Sequence, residues 1–154
     1  MTSDATPDEL AGHIATLPTP RLIGLDVDGV LAPIVERADE ACLTPGIAEV
    51  LTTLRGRAHV AVVSGRSLHD LDRLFDLPAG IDVVGSHGLE ERGQPPVVLD
   101  AAEQARLGHL TALATEAADR AGEGAWVEHK PASVVLHVRQ ADDTDGAAAI
   151  DHLA

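Results

Sequence analysis

Leu22-Ile23-Gly24-Leu25-Asp26-Val27-Asp28-Gly29 is the stretch that decides the fold. An apolar run stops at two aspartates and a glycine. Four or five apolar residues bounded by a glycine turn fit a β-strand buried on both faces, as strands of parallel sheets are. The pattern recurs twice. Ala58-His59-Val60-Ala61-Val62-Val63 closes on Ser64-Gly65, and the run from Ile81 to Val84 closes on Gly85-Ser86-His87-Gly88. Between the first two runs, Thr44-Pro45 predicts a helix start, with Thr44 as N-cap and Pro45 in the first turn. Ile47, Val50, Leu51 and Leu54 give that helix a core stripe, and Gly56 ends it. Ser67 starts another helix, with Leu68, Leu71, Leu74 and Phe75 turned inward. Strand, helix, strand, helix, strand, with apolar strands, predicts an α/β fold: a Rossmann-like parallel sheet with right-handed crossovers.

Outward from this core the pattern changes. Residues 1–20 read as an N-terminal extension, a short helix with Leu10, Ile14 and Leu17, then a linker at Pro18 and Pro20. The core is expected over 21–97. Residues 98–154 read as a second, α+β module. It begins with a helix over 100–121 whose apolar markers are Leu107, Leu110 and Leu113, ended by Gly122 and Gly124. Strands over 125–130 and 133–139 follow, joined at Pro131-Ala132 as an antiparallel hairpin. A last helix is expected from about Thr144, still running at Ala154.

Composition narrows the function. The 154 residues are 45% apolar and 23% charged, an ordinary globular balance. The net charge is −14 and Lys130 is the only lysine, which argues against a nucleic-acid-binding face. An acidic chain still binds phosphate where a metal or backbone amides supply the positive field. With one cysteine, Cys42, no intrachain disulfide is possible. The N-terminus has no basic and apolar signal pattern, and no run reaches the ~18 apolar residues of a membrane span. A soluble cytoplasmic protein that does not engage a membrane is expected.

Asp26 and Asp28 end the first strand, where open parallel sheets place their sites. Residues i and i+2 of a strand face the same way, so both carboxylates look into one crevice. Two carboxylates that close need a positive partner, and Mg²⁺ suits one or two carboxylates together with a substrate phosphate. Ser64-Gly65-Arg66 offers a hydroxyl, a glycine and a helix start at the same edge, a phosphate site in physical terms. Gly85-Ser86-His87-Gly88-Leu89-Glu90 brings a third polar, glycine-bearing strand end there. A phospho-accepting receiver module needs an acceptor aspartate at the end of the third strand. That strand ends Val84-Gly85-Ser86 instead.

The run from Leu25 to Val35 resembles the first motif of the haloacid-dehalogenase-like phosphatases. With Val63-Ser64-Gly65-Arg66, Gly85 to Glu90, Val127-Glu128-His129-Lys130 and Leu136-His137-Val138-Arg139, the chain resembles the trehalose-6-phosphate phosphatase family in order and approximate spacing. The resemblance implies an incomplete haloacid-dehalogenase-like core with a partial inserted cap. It implies hydrolysis of trehalose 6-phosphate through an aspartyl-phosphate. Asp26 is then the nucleophile and Asp28 the general acid and base, with the Asp26 carboxylate and the Asp28 carbonyl on Mg²⁺. Ser64 and Gly65 hold the phosphoryl group. Arg66, His87 and Glu90 line the sugar end, Glu128 and Lys130 hydrogen-bond the disaccharide from the cap, and Ser86 and Arg139 belong to the phosphate- and substrate-binding set. The alternatives are an impaired homologue and a phosphatase of another sugar phosphate.

Two departures qualify the resemblance. Val30 stands where the family usually has threonine, an effect expected to tune rather than abolish phosphate binding. The later phosphate-binding lysine and acidic motif of the superfamily are missing before Ala154. Asp142-Asp143-Thr144-Asp145 reads as a loop and helix cap, and Lys130 belongs to the cap pattern. The chain is therefore expected to be the N-terminal portion of a longer protein, with impaired activity on its own. Its Asp26 strand is expected at or near a sheet edge, open to association or aggregation. Trp126 is expected to pack within the cap, and Cys42 to be inert.

Overall fold

A computed structural model describes residues 6–142 and residue 148. The chain divides into two compact units, Met1–Arg92 and Gly93–Ala154. The final helix expected from Thr144 and most of the Asp142–Asp145 segment lie outside the described residues.

The first unit opens with α1 (Pro7–Thr16), started by a capping box in which Thr6 and Glu9 satisfy each other's backbone amides. The hydrogen bonds from Thr6 hold the Glu9 carboxyl below its ordinary range. The sheet has the order β1 (Leu22–Leu25), β2 (His59–Val63), β3 (Asp82–Gly85), β4 (Glu90–Glu91). β1, β2 and β3 run parallel, and β4, which the sequence reading lacked, returns antiparallel beside β3. α2 (Ile47–Leu54) joins β1 to β2, and α3 (Leu68–Leu74) joins β2 to β3.

The strand order decides which face is buried. It advances in one direction from β1 to β3, so right-handed crossovers put α2 and α3 on the same face. That face carries the core: Leu51 of α2 and Leu71 of α3 meet Val60, Val62 and Val83 of the strands, with Val27, Phe75 and Ile81 around them. The register stacks the alternate residues on the other face: Leu22 beside His59, Gly24 beside Ala61, Val63 beside Val84. There Leu22 is 71% and Val63 44% exposed. Burial of β1 on both faces, as the apolar run suggested, is therefore not found. β1 is half-buried, and β2 is its only strand neighbour among the described residues.

Two details of α2 also differ. The helix starts at Ile47, because Gly46 takes a left-handed φ of +88° and cannot belong to it. Thr44 is no N-cap; its carbonyl accepts from the Ile47 amide across that turn at 3.1 Å. Within the stripe, Leu51 is buried and Ile47 and Leu54 pack on the core, but Val50 is 57% exposed.

In the second unit, α4 (Ala101–Ala121) begins at Asp100, whose side chain accepts from the Ala102 and Glu103 amides. β5 (Trp126–His129) and β6 (Val134–His137) form the antiparallel hairpin. α4 does not bury the expected leucines: Leu110 is 48% exposed. The buried residues are Ala114, Ala117, Ala118 and Ala121, at i, i+3, i+4 and i+7. Ala117 and Ala121 pack against Leu136 and Val138, so the small side chains let the helix approach the hairpin closely. Gly122 and Gly124 both take positive φ after the helix.

Candidate active site

The C-terminal ends of β1, β2 and β3 form one hydrogen-bonded structure. Val27 is fully buried, and its carbonyl accepts from the Leu31 and Ala32 amides, both at 2.9 Å. Gly29, at φ +81°, closes the turn by donating to the Ala32 carbonyl at 2.8 Å. The tight turn leaves Asp26 exposed, with Oδ1 accepting from the Val27 amide at 2.7 Å. Asp28 faces the loop after β2. Arg66 donates to it through Nε and Nη2, one bond to each carboxylate oxygen, both 2.8 Å.

Arg66 is held from several sides. Its Nη1 donates to the Ala38 carbonyl at 2.8 Å, and its guanidinium lies 5.4 Å from the centre of the Phe75 ring. Its backbone amide donates to Ser64 Oγ at 3.2 Å. Ser64 is buried, and its amide is paired with the Val84 carbonyl. The loops after β2 and β3 are then stitched together. Ser86 N–H donates to the Arg66 carbonyl at 2.7 Å and His87 N–H to the Ser64 carbonyl at 3.1 Å.

The two residues that donate these bonds, Ser86 and His87, have a left-handed backbone, with φ of +48° and +56°. Such conformations cost a non-glycine residue about 1 kcal/mol or more, and they cluster at functional sites. The His87 ring lies over Gly65, where a Cβ would come within 2.5 Å of it. Glu90 is spent inside the loop: Oε2 accepts from the Ser86 hydroxyl at 2.5 Å and from the Leu68 amide at 3.2 Å. Sequence spacing had grouped Ser64, Gly65, Arg66, Ser86, His87 and Glu90 at one edge. It could not show that Asp28 and Arg66, 38 positions apart, are partners, nor that Glu90 braces Ser86.

In the second unit, Trp126, Glu128 and Lys130 alternate along β5 and its end. Glu128 Oε1 lies 3.6 Å from Lys130 Nζ, whose side chain is 8% exposed, and Glu128 Oε2 lies 2.9 Å from His137 Nε2. The His137 ring stacks flat on Trp126, centres 3.9 Å apart and planes within 8°. The sequence predicts a Trp126 packed within the cap; the residue is instead 45% exposed, with one face of its ring on His137. Arg139 is exposed beyond β6.

Among the described residues, no three His, Cys, Asp or Glu side chains come together to hold a metal ion. The exposed Asp26 carboxylate and the nearby Asp28 carbonyl are hard oxygen donors. That donor set fits Mg²⁺, which keeps waters and takes one or two carboxylates.

Solved structures share this architecture. The C-terminal domain of C. albicans trehalose-6-phosphate phosphatase superposes with a TM-score of 0.66 at 23% identity, over 87% of this chain and 48% of that one. A trehalose-6-phosphate phosphatase related protein gives 0.63 at 22% identity, over 86% and 59%. This likeness is one of fold, the haloacid-dehalogenase-like α/β class. In sequence, residues 24–154 match the trehalose-phosphatase family, to which the chain belongs. It is 40% identical over 119 residues to the trehalose-phosphate phosphatase of Mycobacterium tuberculosis, covering 75% of this chain and 30% of that protein. The Mycobacterium ulcerans trehalose-phosphate phosphatase is 36% identical over 129 residues, 82% of this chain and 33% of that one. An uncharacterized glycosyl hydrolase of M. tuberculosis is 40% identical over 124 residues, 9% of its length. The chain thus spans a third or less of these curated relatives. No helix among the described residues is long and apolar enough to cross a membrane.

Proposed function

We propose that the chain carries the nucleophile and proton-transfer residues of a phosphomonoester hydrolase that converts trehalose 6-phosphate to trehalose and phosphate in the cytoplasm. The observation that carries this reading is the stitched edge of β1, β2 and β3, where Asp26 is exposed after β1, Ser64 is buried after the neighbouring parallel strand β2, and Arg66 is braced on Asp28. Membership of the trehalose-phosphatase family supports this choice of substrate.

Asp26 attacks phosphorus. A bond forms from its carboxylate oxygen to phosphorus and the bond from phosphorus to the sugar oxygen breaks. Asp28 gives its proton to that leaving oxygen, then takes one from the water that hydrolyses the aspartyl-phosphate. Both Asp28 oxygens face Arg66, so the carboxyl must release one of those bonds to hold a proton toward the sugar. Ser64 Oγ and the Gly65 amide receive phosphoryl oxygens. His87 faces the sugar, held by the brace of Ser86 and Glu90. Glu128, Lys130 and Arg139 bind sugar hydroxyls. The Asp26 carboxylate and the Asp28 carbonyl would hold Mg²⁺, which when bound would supply positive charge to offset that of the phosphoryl group.

The test is phosphate release from trehalose 6-phosphate with Mg²⁺, set beside glucose 6-phosphate and sucrose 6-phosphate. Release that is fastest with trehalose 6-phosphate and lost in Asp26→Asn supports the reading. Equal rates on all three sugars refute the substrate, and release that survives Asp26→Asn refutes the nucleophile.

A further inference from the structure

The hairpin of the second unit carries a residue that the reading above leaves without a role. β5 places Trp126 and Glu128 on one face, since alternate residues of a strand share a face. The register sets His137 directly opposite Trp126, on that same face and diagonal to Glu128. The imidazole therefore meets both neighbours at once. Its plane lies on the indole, 3.9 Å between centres, and its Nε2 lies 2.9 Å from Glu128 Oε2. An ionised carboxylate has no proton to give, so Nε2–H is the donor. The other oxygen, Oε1, lies 3.6 Å from Lys130 Nζ.

The chemistry is that of a fixed acceptor. A glutamate on an open strand face samples many rotamers, and a ligand must bear the entropy of ordering it. Here the indole sets the plane of the imidazole, the imidazole anchors one carboxylate oxygen, and the ammonium sits beside the other. Each oxygen has more than one lone pair, so the anchored carboxylate still accepts from the hydroxyls of a polyol. We propose that His137 is a positioning residue, which orients Glu128 for the sugar through its stack on Trp126. The proposal rests on Glu128 being a sugar ligand, as the proposed function has it.

Three substitutions separate the stack from the hydrogen bond. His137→Ala removes both. His137→Phe keeps an aromatic ring on Trp126 and loses the donor. His137→Gln restores a donor without the ring. Binding of trehalose 6-phosphate with Mg²⁺ is measured by calorimetry in the non-hydrolysing Asp26→Asn chain, with circular dichroism melts confirming that each variant is folded. Kd is expected to rise about tenfold in His137→Ala and His137→Phe, and to stay within about threefold of the parent in His137→Gln. In active protein the loss should fall on KM with kcat little changed, since Glu128 is assigned to the sugar and not to the reacting phosphate. Parental Kd in His137→Phe, or a loss in His137→Gln equal to that in His137→Ala, overturns the positioning role alone. A parent that does not bind trehalose 6-phosphate overturns the substrate reading and this inference together.

Discussion

Arg66→Ala should destabilise the first unit by about 3 kcal/mol. Hydrogen bonds to charged partners contribute ~1.5–3 kcal/mol, whereas fully exposed ion pairs contribute at most ~1. The Arg66 side chain is 13% exposed and that of Asp28 38%, so the forked pair lies between those limits, at about 2 kcal/mol. The Phe75 contact adds ~0.5–1 kcal/mol. For a chain of this size each kcal/mol shifts the midpoint by ~2–4 °C, so Tm should fall by roughly 6–12 °C. Arg66→Lys keeps a charge but cannot form the fork, and should lose about half as much. Circular dichroism melts of the parent, Arg66→Ala, Asp28→Asn and the double variant complete a cycle, with an expected coupling of about 1–2 kcal/mol. A fall below about 3 °C in Arg66→Ala, or additivity within about 0.3 kcal/mol, would refute the claim that this pair ties the loops after β1 and β2 together.

Other perturbations follow from the same geometry. Gly85→Ala puts a Cβ 2.9 Å from the Arg66 carbonyl and the Leu68 amide, both backbone atoms that cannot swing aside. It should cost about 2 kcal/mol, read by urea unfolding. His87→Gly relieves a left-handed residue at φ +56°, so its Tm should hold or rise while phosphate release falls; a lower Tm would show that the conformation is not strained. Association through the outer edge of β1 and its exposed face should appear in sedimentation velocity as oligomers that Leu22→Lys disperses. A chain that already sediments as a monomer at 100 μM ends that idea.

Much of the fold is legible in the sequence because glycine and proline punctuate apolar runs. Gly29, Gly65 and Gly85 mark where β1, β2 and β3 end, and Gly122 marks the end of α4. What local pattern does not carry is which face a partner covers. Leu22 and Val63 read as core residues, yet lie on the face that α2 and α3 do not reach. Val50 fits a helical stripe and is exposed. Alanine scores weakly as apolar, so the sequence pattern points to the leucines of α4 while its alanines form the packed face. Gly46 shifts the start of α2 by its backbone conformation, where Thr44-Pro45 offers the stronger cap signal. At the candidate site, the gathering of three strand ends follows from topology. The pairing of Asp28 with Arg66, the brace of Ser86 by Glu90, and the contact of His137 with Trp126 and Glu128 depend on side-chain geometry. Only the last has a sequence trace, the antiparallel hairpin that sets His137 across from Trp126.

The central claim is that phosphoryl transfer passes through Asp26. Borohydride quenching during turnover of trehalose 6-phosphate reduces an acyl phosphate to an alcohol, and peptide mass spectrometry locates the change. The account predicts homoserine at position 26, dependent on both substrate and Mg²⁺ and absent when either is withheld. Turnover that leaves residue 26 as aspartate while another side chain is reduced would contradict it.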